Sequence, residues 1–79
     1  MKQNLVVLGG GESGIGAAYL ARKKGIKVFL SDKNLIDNKY KKILIDNKIQ
    51  FEEGHHSLKK ILKATEIIKS PGISDSSNL

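Results

Sequence analysis

The 79-residue sequence has no cysteine, no tryptophan, a single proline and only four aromatic residues: Tyr19, Phe29, Tyr40 and Phe51. Without cysteine there are no disulfide staples and no thiolate-ligated zinc. Long hydrophobic runs are missing too. The apolar stretches, Leu5-Val6-Val7-Leu8 among them, last only a few residues, so nothing is expected to span a membrane. No charged segment followed by a long apolar stretch opens the chain, so no secretory signal is expected. Acidic residues are scarce, 8 against 14 lysines and arginines, for a net charge of +6. At this length folding hides roughly 60–65% of the surface that an unfolded chain exposes. That allows one thin core and excludes a complete multi-substrate enzyme.

The charge invites a nucleic-acid reading, which the rest of the sequence argues against. Lysine (13), isoleucine (10) and asparagine (5) supply 28 of the 79 residues, a bias that AT-rich coding produces without any polyanionic partner. None of the four aromatics sits in a basic-aromatic stacking motif. Apolar residues at 39% and charged residues at 28% are globular values. Neither nucleic acid nor membrane is expected as a partner, and a cytoplasmic α/β fragment fits the composition.

Short β-like runs alternate with amphipathic segments. Leu5 to Leu8 reads as a strand buried on both faces. Glu12 to Lys24 suits a helix, with Ile15, Ala18 and Ala21 on one face and Gly25 as its stop. Lys27 to Ser31 reads as a second strand. Asp37 has the character of an N-cap for a helix whose inner face carries Tyr40, Ile43, Leu44 and Asn47. Ile49 to Glu52 reads as a third strand, Ser57 as the cap of a short helix with Leu58, Ile61 and Leu62, and Glu66 to Lys69 as a fourth strand. Residues 1–73 form one domain on this reading, with 74–79 as a tail or the start of a linker.

This β-α-β-α-β-α-β order implies a Rossmann-like parallel sheet with right-handed crossovers and helices on both faces. The doubly wound strand order is 3-2-1-4, and a crevice opens outside the carboxyl ends of strands 1 and 4, where the chain reverses direction. Gly9-Gly10-Gly11-Glu12-Ser13-Gly14 matches G-x-G-x-x-G in the required place, after a strand and before a helix. Its first glycine permits the tight turn, its second lets backbone approach a diphosphate, and its third lets the helix pack close to strand 1. Free N–H groups at the helix start favour an anion. Gly11 and Gly16 also have P-loop spacing, but Ala17 and Ala18 follow instead of Lys and Ser/Thr, which excludes a P-loop ATPase. Asp32, at the end of strand 2, is placed to accept hydrogen bonds from a ribose or to form a strand-end turn. His55 and His56 read as solvated loop residues, no metal site is expected, and no nucleophile, base and orienting acid come together.

The glycine loop taken with Ser31-Asp32 and with Lys69-Ser70-Pro71-Gly72-Ile73 resembles the N-terminal domain of the UDP-N-acetylmuramoylalanine–D-glutamate ligases, Mur ligases of the MurD type. The likeness runs from about Leu5 to Ile73. It implies a domain that holds the uridine diphosphate end of UDP-N-acetylmuramoyl-L-alanine for the ATP-dependent addition of D-glutamate in peptidoglycan synthesis. By position it implies Gly11, Glu12, Ser13 and Gly14 at the diphosphate, Asp32 and Lys33 at the uridine, and Ser70, Pro71 and Gly72 closing the other side. Lys33 stands where some relatives carry a planar guanidinium, which weakens stacking there. ATP and Mg2+ are implied for the full-length parent, bound by a central domain, with a C-terminal domain that helps bind D-glutamate, both missing from this chain. The fragment is expected to bind and not to catalyse. Motif logic without the resemblance leaves an alternative, an NAD(H)-binding Rossmann domain of an oxidoreductase or sensor. Against it stands the rigid Ser70-Pro71-Gly72 turn beside the glycine loop.

Overall fold

The structure, a computed structural model, describes residues 3–69. Four strands form one parallel sheet: β1 (Asn4–Leu8), β2 (Lys27–Asp32), β3 (Gln50–Glu53) and β4 (Glu66–Lys69), in the order β3-β2-β1-β4. They alternate with α1 (Glu12–Lys23), α2 (Asn38–Asp46) and α3 (Leu58–Leu62). This is the doubly wound arrangement read from the alternation of elements. Val7 pairs with Leu30 on one side and with Ile68 on the other, and Leu30 in turn pairs with Phe51.

The two faces of the sheet are covered unequally. Side chains alternate along each strand, and Leu5, Val7, Val28, Leu30 and Ile49 fall on one face. Ile15, Ala18 and Ala21 of α1 and Leu44 of α2 close over them in a single buried cluster. The alanines let α1 lie close to the strands. Val6 and Phe29 face the other way and are also buried. Among the described residues that face is covered by α3, a short helix none of whose residues is buried. The Lys60 ammonium covers the Phe29 ring at 5.0 Å from its centroid, while Leu62 is 78% exposed. Charged stems thus do part of the covering here.

Helix ends follow local chemistry with one correction. Asp37 caps α2 as expected, its carboxylate accepting the Lys39 N–H at 3.2 Å. Ser57 occupies the N-cap position of α3, but its side chain makes no capping bond. Its backbone N–H donates instead to Glu52. The inner face of α2 is narrower than expected: Leu44 is fully buried, while Ile43 stays at the rim and Asn47 is the C-cap, not a helical residue. Ile36, in the loop before α2, joins the core instead. No helix among the described residues is long and apolar enough to cross a membrane. The domain boundary near residue 73, the segment 74–79, and Ser70, Pro71 and Gly72 lie outside the described residues.

Candidate functional site

The carboxyl edge of the sheet gathers three loops. The first runs from β1 into α1. Gly9 turns the chain at φ +111°, a conformation open to glycine at little cost. Its N–H donates to the Ser31 carbonyl at 2.8 Å, tying the loop to the end of β2. Gly14 sits where a Cβ would lie 1.8 Å from the Gly9 carbonyl oxygen, so only glycine lets α1 start this close to β1. Gly11 is the opposite case. A Cβ there would meet nothing within 4 Å, and its backbone faces open space. Gly11 is the N-cap of α1, and no side chain caps it. Glu12 and Ser13 are exposed and Gly14 is buried at the start of the helix. The first-turn N–H groups of a helix have no intrahelical partner, and α1 therefore offers uncapped donors at its positive end.

The second loop follows β2. Asp32 Oδ2 accepts the Gly10 N–H at 2.7 Å and Oδ1 accepts the Asn34 N–H at 2.9 Å. Sequence reasoning placed Asp32 at the ribose or in a strand-end turn. In the structure both its oxygens hold backbone, one of them in the glycine loop itself. Lys33 beside it is exposed. Gly10 has a role the motif did not disclose: a Cβ there would press on Ile36 at 2.9 Å and on Asp32 at 3.2 Å.

The third loop, from β3 into α3, carries His55 and His56 exposed, as expected, and also ties them into a polar cluster. Ser31, fully buried, has its Oγ 2.7 Å from Glu52 Oε2 and 2.6 Å from His56 Nδ1. Glu52 Oε2 also accepts the Ser57 N–H at 2.6 Å, and Oε1 lies 3.2 Å from His55 Nε2. The Glu52 side chain is only 9% exposed. Burial by itself raises its carboxyl, but the Ser31 hydroxyl, the Ser57 N–H and the charges of His55 and Lys60 outweigh that and hold it below the usual carboxylate range. The neighbouring Glu53 is also held low, by the Ile36 N–H and by Lys41 at 3.1 Å, against a smaller opposing effect of burial. A serine, a histidine and a carboxylate do come together, contrary to expectation. They do not make a nucleophile, because Ser31 is enclosed and its hydroxyl is spent within the cluster. Among the described residues no group of three or more His, Cys, Asp or Glu is arranged to hold a metal ion.

One signal in the sequence pointed to this cluster. If Leu30 and Phe51 share the core face, Ser31 and Glu52 must share the other, since both strands alternate with period two. The register pairs Ser31 with Glu52 directly. The return of His56 onto Ser31 had no such signal.

With this geometry in place, comparison with known proteins is informative. Residues 4–79 match the family model described as the MurD N-terminal domain. The UDP-N-acetylmuramoylalanine–D-glutamate ligase of Bacteroides thetaiotaomicron is 54% identical over 71 residues, covering 90% of this chain and 16% of that protein. The ligase of the same name from Porphyromonas gingivalis is 56% identical over 75 residues, 95% of this chain and 17% of that protein. The one from Christiangramia forsetii is 52% identical over 75 residues. The chain thus spans about one sixth of the length of these curated relatives.

Proposed function

The chain belongs to the MurD N-terminal domain family, and from that premise we propose that its carboxyl edge binds the uridine diphosphate end of UDP-N-acetylmuramoyl-L-alanine. The observation that carries the proposal is the uncapped start of α1 behind an open Gly11. The diphosphate lies against the backbone of Gly11, Glu12, Ser13 and Gly14, where N–H groups and the helix dipole favour negative charge. Glu12 is exposed and turns its carboxylate to solvent. Uridine lies toward Asp32 and Lys33. Asp32 has two oxygens that each accept one backbone N–H, and a carboxylate has further lone pairs for a ribose hydroxyl. Ser70, Pro71 and Gly72, outside the described residues, close the far side in this proposal.

The parent is, on the same reading, a cytoplasmic ligase of peptidoglycan-precursor synthesis that joins D-glutamate to the bound substrate with ATP and Mg2+. The residues here do not fit that nucleotide or its metal. Ala17 and Ala18 stand where a P-loop has Lys and Ser/Thr, and the described carboxylates form no metal group. On this reading the central domain of the parent holds ATP and Mg2+, and this domain contributes binding and orientation.

Separate titrations with UDP, NADH and ATP, followed by backbone amide NMR, test the proposal. UDP is expected to move the Gly11 to Gly14 resonances, with ATP hydrolysis at background. Preferential binding of NADH would favour the oxidoreductase or sensor alternative and overturn the assignment.

A further inference from the structure

The Ser31-Glu52-His56 cluster fixes the direction of its hydrogen bonds. Glu52 Oε2 accepts the Ser57 N–H, and an ionised carboxylate has no proton to donate. At 2.7 Å the Ser31 hydroxyl must therefore donate to Glu52. The single hydroxyl proton is then used, and His56, 2.6 Å away, must donate its Nδ1–H to Ser31 Oγ. A neutral His56 is held in the Nδ1–H tautomer, with a bare lone pair on Nε2. A charged His56 keeps the same Nδ1 bond and gains an Nε2–H donor. His56 is exposed, and among the described residues its Nε2 has no hydrogen-bond partner.

Ser31 anchors both this ring and the glycine loop. Ser31 binds His56 through its hydroxyl and the Gly9 N–H through its carbonyl, at 2.8 Å. The β3–α3 loop thus crosses the same edge as the uncapped start of α1. Among the described residues, the charged groups near this anchor are Glu52 at the Ser31 hydroxyl, His55 at Glu52, Lys60 over Phe29, and Asp32 and Lys33, which follow Ser31 in the chain. Only one of the two His56 states can serve a phosphate oxygen, because a bare lone pair repels an anion and an N–H attracts it.

We infer that His56 is a ligand-contacting residue of this edge and that a phosphate oxyanion draws a proton onto its Nε2. The inference rests on the assignment of the edge as a nucleoside-diphosphate site and names a contact that the glycine motif does not contain. Ser31 and Glu52 are its positioning residues: their hydrogen bonds keep the proton on Nδ1 and leave Nε2 for the ligand.

UDP-N-acetylglucosamine is the suitable probe, since its doubly esterified diphosphate does not itself titrate across the histidine range. Calorimetry of the 79-residue protein between about pH 5 and pH 8, in buffers of different ionisation enthalpy, reads both affinity and proton uptake. Binding is expected to tighten toward low pH, by up to about tenfold per pH unit for one linked proton. His56→Gln should abolish the slope, and His55→Gln should retain it. Nitrogen-15 spectra of the free protein should show His56 protonated at Nδ1 when neutral. A pH-independent affinity, a slope that survives His56→Gln, or an Nε2–H tautomer would each overturn the inference while leaving the diphosphate site standing. Failure of the probe to bind at any pH would overturn both.

Discussion

Two loops meet at the carboxyl edge, and they solve the same structural problem by opposite means. The β1–α1 loop is almost free of side chains. Its shape comes from Gly9 at positive φ and from Gly14 against the Gly9 carbonyl, and its chemistry is that of backbone N–H groups. The β3–α3 loop has one glycine, Gly54, at φ +84°, and is otherwise held by side chains: Glu52 binds Ser57, Ser31 and His55, and Ser31 binds His56. A loop made by the absence of side chains tolerates no addition at its close contact. A loop made by a polar cluster tolerates no loss of its central acceptor.

The largest effect is expected at Gly14. A methyl group there meets a backbone oxygen at 1.8 Å, and backbone cannot move aside as a side chain can. Gly14→Ala should cost more than the ~1–3 kcal/mol of ordinary overpacking, read as loss of the cooperative denaturation transition or a large fall in its midpoint. An alanine variant near parental stability would break the claim that this loop is set by close approach.

Glu52→Leu comes next. It removes the charged acceptor of the fully buried Ser31 hydroxyl and of the half-buried Ser57 N–H, leaving Ser31 the His55 carbonyl at 3.4 Å and His56 Nδ1. Hydrogen bonds to a charged group contribute about 1.5–3 kcal/mol, measurable by urea denaturation. His55→Gln, at the exposed rim of the same cluster, should stay within about 0.5 kcal/mol of the parent. Equal effects at the two positions would mean that the cluster has no centre.

A smaller effect separates the loops by pH. The Glu52 and Glu53 carboxyls are held below their ordinary range. A lowered folded-state pKa contributes stability that is present above the unfolded-state pKa and is lost as pH falls through the folded value. Stability should therefore decline through and below the ordinary carboxylate range, and Glu52→Gln should flatten that decline. The smallest effect is expected on the thinly covered face: Leu62→Ala, at a side chain 78% exposed, should change stability by less than about 0.5 kcal/mol.

The same contrast explains what was legible in the sequence. The glycine loop, the strand order and the end-of-strand acid were readable because each depends on local chemistry or on the alternation of elements. Asp32 was found, but its hold on Gly10 was not, since that bond joins two loops 22 residues apart. The pairing of Ser31 with Glu52 was deducible from period-two alternation and parallel register. The fold-back of His56 was not, because a loop path has no periodicity. Ile36 escaped notice for the same reason: a single apolar residue in a loop has no partner at helical or strand spacing to mark it as core. The weak burial of α3 was hidden by a pattern, Leu58, Ile61 and Leu62, that is correct for an inward face whichever helix carries it.

The central claim is that the open glycine at the start of α1 admits a diphosphate. Gly11→Val tests it most directly. Its backbone, at φ −82° and ψ −170°, suits any residue, and a Cβ there would meet nothing within 4 Å. The variant should therefore fold, at a cost of about 1 kcal/mol for a poorer N-cap. UDP affinity measured by calorimetry on parent and variant should fall at least about tenfold, a loss of ~1.4 kcal/mol, with the amide spectrum otherwise retained. A folded Gly11→Val protein that binds UDP as tightly as the parent would contradict the account.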